Sequence, residues 1–434
     1  MLNMRTMAAL IAVAVSFVFA GCSSAHPPTS SPLFNIPMQE QTHGVGPQVL
    51  QGGGKEHWVR LSINGNNDYF QGTTVGSDRN RIWVADYSGQ ALYGFSMNGK
   101  YRKISIPGVS PSELTIGADG NFWVNEDGAA VILRVTPTGN VTAFSLPPTQ
   151  QAYGGIVTGP DGNVWFTEQT QVASITPSGM ITQFNAPGGC GVAMNGITVG
   201  PDRNIWYAAA GGSCTALVRI HPSTGMEKTY VVPPDKMCAP FGIVTGPDGD
   251  LWFSCNGSPA TIGKMTLGGT VTTYPVQGPY SAAPLNLAPG SDGKIYFIKD
   301  EGTASLLGRI NPQTGEVKML QPPSYFPRIW GIILGPDGNM WTDGGNAMGI
   351  YVINVLEVSP SNLTFGNPGD NKTITVTERN THEWTATSSD LSVALVQQGS
   401  APDKFVVNAI GPGQCVVHVK DAIGNIFDVS VLVM

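Results

Sequence analysis

Three carboxylates recur at one position of a repeated unit: Asp86, Glu126 and Glu168 each stand three residues after a tryptophan, namely Trp83, Trp123 and Trp165. Carboxylates gathered from successive units can hold a hard divalent cation such as Mg or Ca, because such ions take oxygen ligands. A carboxylate repeated unit after unit can equally bond the backbone of its own loop, so the pattern carries both readings. Tyr153, Asn195, Phe241 and Trp330 lie just ahead of the first strand of their units, and Asp343 follows the last tryptophan of the series. Together they predict an opening with aromatic walls and an acidic arc, suited to a small molecule, a glycan or a protein segment.

The elements that must position these residues are legible in a ladder of aromatics: Trp83, Trp123, Trp165, Trp206, Trp252, Tyr296 and Trp341, at intervals of 40, 42, 41, 46, 44 and 45 residues. The clearest unit is GIVTGPDGNVWFTE, from Gly155 to Glu168, and it returns as GITVGPDRNIWYAA, GIVTGPDGDLWFSC and GIILGPDGNMWTDG. A period of 40 to 50 residues built of short alternating runs and turns is the signature of propeller blades, since one small sheet cannot bury both faces alone. The Gly-Pro-Asp-Gly-Asn segment supplies a hairpin turn, with φ preset by proline and a residue tolerant of positive φ. A second turn of the Thr-Pro-Ser-Gly kind separates the third strand from the fourth. The fold expected is all-β, with a seven-bladed β-propeller over 56–354.

The seventh unit runs out after its third strand, while His57 to Ile63 alternates like a fourth strand and precedes the first unit. That segment is expected to pair with Met348 to Asn354 and join the two ends of the propeller. Residues 1–21 read as a signal peptide: Arg5, an apolar run from Ala8 to Phe19, then Phe19-Ala20-Gly21-Cys22, which resembles a bacterial lipobox. Cys22 is thus the expected lipidation site. Membrane attachment through that lipid implies the bacterial cell envelope, and the outer membrane in a Gram-negative host. Residues 22–55, rich in Pro, Ser, Gln and Gly, are expected to be a flexible tether. Residues 355–434 contain about seven short strands and no helical pattern, and resemble an immunoglobulin-like β-sandwich of bacterial surface proteins.

Only 12% of the 434 residues are charged and the net charge is −7, with no cluster of Lys or Arg, which argues against a nucleic-acid partner. Five cysteines besides Cys22 remain in a chain expected to be exported, where disulfides persist. Cys190 and Cys214 flank the fourth unit's first two strands, and Cys238 and Cys255 stand similarly in the fifth. Four cysteines allow three connectivities. Their placement on one face predicts Cys190 with Cys214 and Cys238 with Cys255, leaving Cys415 as a buried thiol.

The repeated Gly-Pro-Asp-Gly-x-x-Trp-Phe-Thr-Glu motif resembles that of the virginiamycin B lyase (streptogramin lyase) family over roughly Glu56 to Asn354. The resemblance implies a seven-bladed propeller and, in its antibiotic-cleaving members, elimination chemistry using magnesium, glutamates and a histidine base just ahead of a blade's Gly-Ile. The matching positions here are Gly72, Ser112, Gly154, Asn195, Phe241, Leu285 and Trp330, none of which takes up a proton near neutral pH. His57, His221, His382, His418, His26 and His43 lie elsewhere in the pattern. A carboxylate such as Glu126 or Glu168 would need a raised pKa to replace the missing base. The reading preferred is an anchored binding protein. The rivals are a metal-dependent lyase or hydrolase using the acidic arc, and a purely structural envelope protein.

Overall fold

The computed structural model describes residues 32–434 except 35–38, 42–44, 52–56, 63–69, 76–79, 97–99, 127–128, 148–150, 191, 212–213, 234–237, 257–259, 277–283, 302–303, 321–327, 344–348, 354–356, 378–383 and 421–425. Before residue 80, and at 153, 189, 192–195, 349–352 and 377, the backbone alone is described. The signal peptide and Cys22 therefore lie outside the described residues.

The described chain is almost wholly strand, in nine sheets, with one short 3-10 turn at Pro187–Gly189. In each of the first seven sheets the strands follow one another as an antiparallel meander. The third unit shows the order most simply: Ala152–Thr158 pairs with Val164–Glu168, then Gln171–Ile175, then Ile181–Asn185. The first strands of neighbouring sheets lie against one another in sequence, and Ile332–Leu334 of the seventh contacts Phe70–Val75 of the first. The expected joining of the two chain ends is present, since His57–Ser62 pairs with Gly349–Ile353 in the register Arg60↔Tyr351.

One difference from expectation concerns the tether. Pro32–Phe34, Gln39–Gln41 and Val45–Gln51 are strands that add to the outer edges of three sheets, on Val141–Ser145, Tyr101–Ser105 and His57–Ser62. The physical reason is that an outermost strand presents unpaired N–H and C=O groups, which an extended polar segment can satisfy.

The hydrophobic cores straddle sheets rather than filling them. Trp83 packs with Leu114, Phe122 and Val124 of the next sheet, Trp123 with Val164 and Phe166, and Trp165 with Ile205 and Tyr207. The series ends with Trp341 among Ile82, Val84 and Phe95 of the first sheet. Each core thus needs two sheets, which is why one unit cannot fold alone.

What fixes five of the indoles is a carboxylate four residues earlier, a residue that is Arg79 in the case of Trp83. Trp123, Trp165, Trp206, Trp252 and Trp341 donate through Nε1 to Asp119, Asp161, Asp202, Asp248 and Asp337 at 2.9 to 3.1 Å, and the Tyr296 hydroxyl does the same to Asp292. The glycine that opens the turn is required by this contact. A Cβ on Gly159 would lie 2.4 Å from Asp161 Oδ1 and 2.6 Å from Trp165 Cδ1. The turn's second glycine takes a positive φ, 82° at Gly162, and Arg203 adopts 60° at the same place in the fourth unit.

The C-terminal residues form two four-stranded sheets, Glu357–Ser359, Asn371–Thr377, Lys404–Ala409 and Ala394–Gln398 in one, and Asn362–Phe365, Ile426–Val433, Gly413–Lys420 and Thr385–Ser388 in the other. They enclose one core that includes Phe365, Ile374, Phe405, Val417 and Val429. Cys415 belongs to it as the expected buried free thiol. Eight strands are found where about seven were expected.

Asp161→Ala leaves the fully buried Trp165 N–H without its acceptor. A loss of about 1–3 kcal/mol in unfolding free energy is expected from urea titration, with the folded circular-dichroism spectrum retained. A change below the error of the titration would remove this bond from the account.

Candidate functional site

The loops that enter the first strands and the ends of the second strands meet at one mouth of the space between the seven sheets. The two predicted disulfides are present there, Cys190–Cys214 and Cys238–Cys255. Each ties the entry of a first strand to the strands behind it, next to Asn195 and Phe241 respectively. Cross-links spanning 24 and 17 residues stabilise a fold by about 3 kcal/mol each on loop entropy.

The acidic arc is divided among separate local tasks. Asp86 is fully buried and its Oδ1 accepts from Gly89 N at 2.8 Å. Glu126 accepts from Ser110 N at 3.2 Å. Glu168 is fully buried, and Gln183 Nε2 donates to both of its oxygens at 3.1 and 2.8 Å. Asp343, expected on the ligand face, is also fully buried and accepts from Trp330 N at 2.9 Å and Gly331 N at 2.5 Å. For Asp86, Glu126 and Asp343 the physical reason is the same: a second strand ends where backbone N–H groups lack a ladder partner, and a carboxylate oxygen satisfies them, whereas Glu168 takes a side-chain amide instead. Among the described residues no three His, Cys, Asp or Glu side chains cluster as metal ligands. The donor set therefore does not fit a cation shared by Asp86, Glu126 and Glu168.

The aromatic residues fare differently. Phe241 and Trp330 are part-exposed at the mouth. Trp330 is held from one side: Arg328 lies over its ring at 4.2 Å and is itself fixed by a two-bond fork to Asp300, at 2.9 and 2.5 Å. The Tyr153 and Asn195 side chains lie outside the described residues.

Below the mouth the first strands line a cavity of about 140 Å³. Its lining includes the aliphatic side chains of Ile156, Ile197, Ile243 and Leu287 and the polar side chains of Glu113 and Asn286, and most of its exposed surface is polar. Glu113 was missed by sequence reasoning. A signal existed, since four of the other units have glycine at that position, Gly155, Gly196, Gly242 and Gly331, and only Glu113 puts a carboxyl there. Asn286 breaks the same pattern, and its Nδ2 donates to the Trp330 carbonyl of the next sheet at 2.6 Å.

Two carboxyls depart strongly from ordinary behaviour. Burial pushes Glu113 up to about 8, and the negative charge of Asp343 adds to it. Glu113 is part-exposed and lines the cavity. Burial also pushes Glu168 up to about 7, against the opposing effect of its bonds from Gln183. An acid whose pKa is higher folded than unfolded binds its proton more tightly in the folded state. Its contribution to stability therefore declines as pH rises from the unfolded value, about 4.3, to about 7. Glu168→Gln keeps an acceptor for Gln183 and removes the charge. It is expected to stabilise the chain by about 2 kcal/mol at pH 8 relative to its effect at pH 4.5, measured by urea unfolding. Equal effects at both pH values would show that Glu168 titrates normally.

Comparison with known proteins places this geometry. The model of the virginiamycin B lyase family matches residues 56–223 and 193–355. A virginiamycin B lyase of Nocardia farcinica is 32% identical over 108 residues, covering 24% of this chain and 38% of that protein. The chain thus matches well under half the length of that relative. A catalytically inactive histidine-to-alanine form of virginiamycin B lyase from Staphylococcus aureus, solved with quinupristin, is 25% identical with a TM-score of 0.60, over 69% of this chain and 99% of that one. A streptogramin B lyase structure is 25% identical with a TM-score of 0.59, over 68% of this chain and 97% of that one. The chain belongs to the virginiamycin B lyase family and has its β-propeller fold.

Proposed function

We propose that this protein is an exported, lipid-anchored binding protein: a lipid at Cys22, a seven-bladed propeller over 56–354 that presents a ligand face, and an immunoglobulin-like module over 355–434. Support for seven blades comes from the seven sheets, their shared cores and the contact of Ile332–Leu334 with Phe70–Val75. Two facing sheets over one core support the immunoglobulin-like reading.

One observation carries the binding function. At the position where the lyases place their histidine, this chain puts part-exposed Phe241 and Trp330, while the carboxylates nearby are occupied with backbone and side-chain donors. An aromatic surface held rigidly at a concave mouth recognises apolar faces of sugars, peptides or small molecules. Lyase chemistry of the virginiamycin B type, the rival, needs a base and a cation site: Glu168, pushed up to about 7, meets the pKa condition for a base, but it is fully buried beneath Gln183, and the arc gathers no shared cation site among the described residues.

Changing Phe241 and Trp330 together to Ala is expected to abolish capture on glycan and peptide arrays, with both disulfides and the folded spectrum retained. Undiminished capture would exclude this face. For the anchor, Cys22→Ala is expected to move the chain from the membrane to the soluble fraction, and a variant still sedimenting with membranes would contradict lipidation.

A further inference from the structure

We propose that the channel below the aromatic mouth is a subsite for an alkylammonium group, with Glu113 as its counterion. The inference rests on the binding reading above and names the chemistry of the innermost part of that ligand.

The argument begins with what the cavity lacks. Among the described residues its lining contains one carboxyl and no Lys, Arg or His, so none of them supplies a fixed cation to Glu113 within it. Among the described residues none donates a hydrogen bond to the Glu113 carboxyl. That sets it apart from Asp86, Glu126, Glu168 and Asp343, each of which has a donor. A carboxyl surrounded by protein and left without partners is costly, and buried polar groups are normally satisfied. The missing partner must enter through the cavity.

The second polar group narrows the ligand. The Asn286 amide nitrogen is committed to the Trp330 carbonyl at 2.6 Å, which leaves its oxygen to face a ligand as an acceptor. Ionised Glu113 and Asn286 both line the cavity as acceptors, and a group with several donors and a positive charge complements such a lining. An ammonium has three donors and no acceptor. The remaining wall, Ile156, Ile197, Ile243 and Leu287, suits a short aliphatic stem. A volume of about 140 Å³ is that of four or five waters, room for an amine of a few carbons and too little for a sugar ring.

The surroundings make this binding proton-linked. The strand Pro111–Ile116 that carries Glu113 packs against Phe70–Val75, Arg81–Asp86, Phe122–Glu126 and Ala152–Thr158. Those elements bring the cation Arg81, the acids Asp86 and Glu126, and Tyr153, while Phe70–Val75 brings no titratable group. Asp343 is the charge that acts on Glu113. Because burial and Asp343 push Glu113 up to about 8, the carboxyl holds a proton at pH 7, and an entering ammonium must displace it. The proton leaves to solvent as the ion pair forms.

Calorimetric titration of the full chain with n-butylammonium tests this, with 1-pentanol as the neutral probe of similar size. The amine stays protonated through pH 9. Its affinity is expected to rise about tenfold from pH 7 to pH 9, and 1-pentanol to show no such rise. Glu113→Gln is expected to weaken n-butylammonium at least tenfold at pH 9 and to flatten the pH dependence, with an unchanged thermal midpoint or a higher one. Equal affinity of Glu113→Gln and the parent chain, or no binding of n-butylammonium to the folded parent at pH 9, would overturn the subsite. If array capture still depends on Phe241 and Trp330 in that case, only the channel inference falls. If capture is also absent, the binding reading falls with it.

Discussion

The structure depends on one short interaction, the bond from a tryptophan Nε1 to an aspartate four residues earlier. It lets a large indole sit fully buried between two sheets while its one polar atom stays paired. The same aspartate lies in the hairpin turn, so the bond also fixes how the second strand leaves that turn. Close contact between glycine and indole then excludes any side chain at the turn's first position, as Gly246 illustrates: a Cβ there would lie 2.4 Å from Trp252 Cδ1. Sheet shape, turn sequence and core packing are consequences of the same few atoms.

Because the cores are shared between neighbouring sheets, the first strands of those sheets come together, and they line the cavity. The first strands turn their side chains toward it, and the ends of the second strands deliver carboxylates to its mouth. Those carboxylates are used up in holding the mouth together. Asp343 illustrates the trade: it secures the backbone of Trp330 and Gly331 and so positions the Trp330 ring, but it is not itself available to a ligand. Arg328 acts on the same ring from above through its fork to Asp300. The scaffold thus spends charge to make a rigid aromatic surface.

The fold was legible in the sequence because its determinants are local and repeated. Gly159, Asp161 and Trp165 lie within seven residues, and their copies recur in register, so the period, the turns and the pairing of Cys190 with Cys214 and Cys238 with Cys255 could be read directly. The site was less legible, because it depends on departures from the repeat. Glu113 stands in a position given to glycine in four other units, and its raised pKa arises from burial and, secondarily, from Asp343, 230 residues away in the chain. The acidic arc was hard to read for the complementary reason: Asp86, Glu126 and Glu168 match in position, yet each takes a different local donor, Gly89 N, Ser110 N and Gln183 Nε2. Burial, which sequence spacing does not report, decided between those readings.

The channel carboxyl is the point where fold and function meet, and its titration tests the account most directly. With ¹³C-labelled glutamate side chains followed by NMR from pH 4 to pH 10, the account predicts one resonance with a midpoint near 8 that vanishes in Glu113→Gln. It predicts a second, near 7, that vanishes in Glu168→Gln. If every glutamate titrates between 4 and 5, the channel is open to bulk water, and neither an unpartnered carboxyl nor a site for its counterion is present.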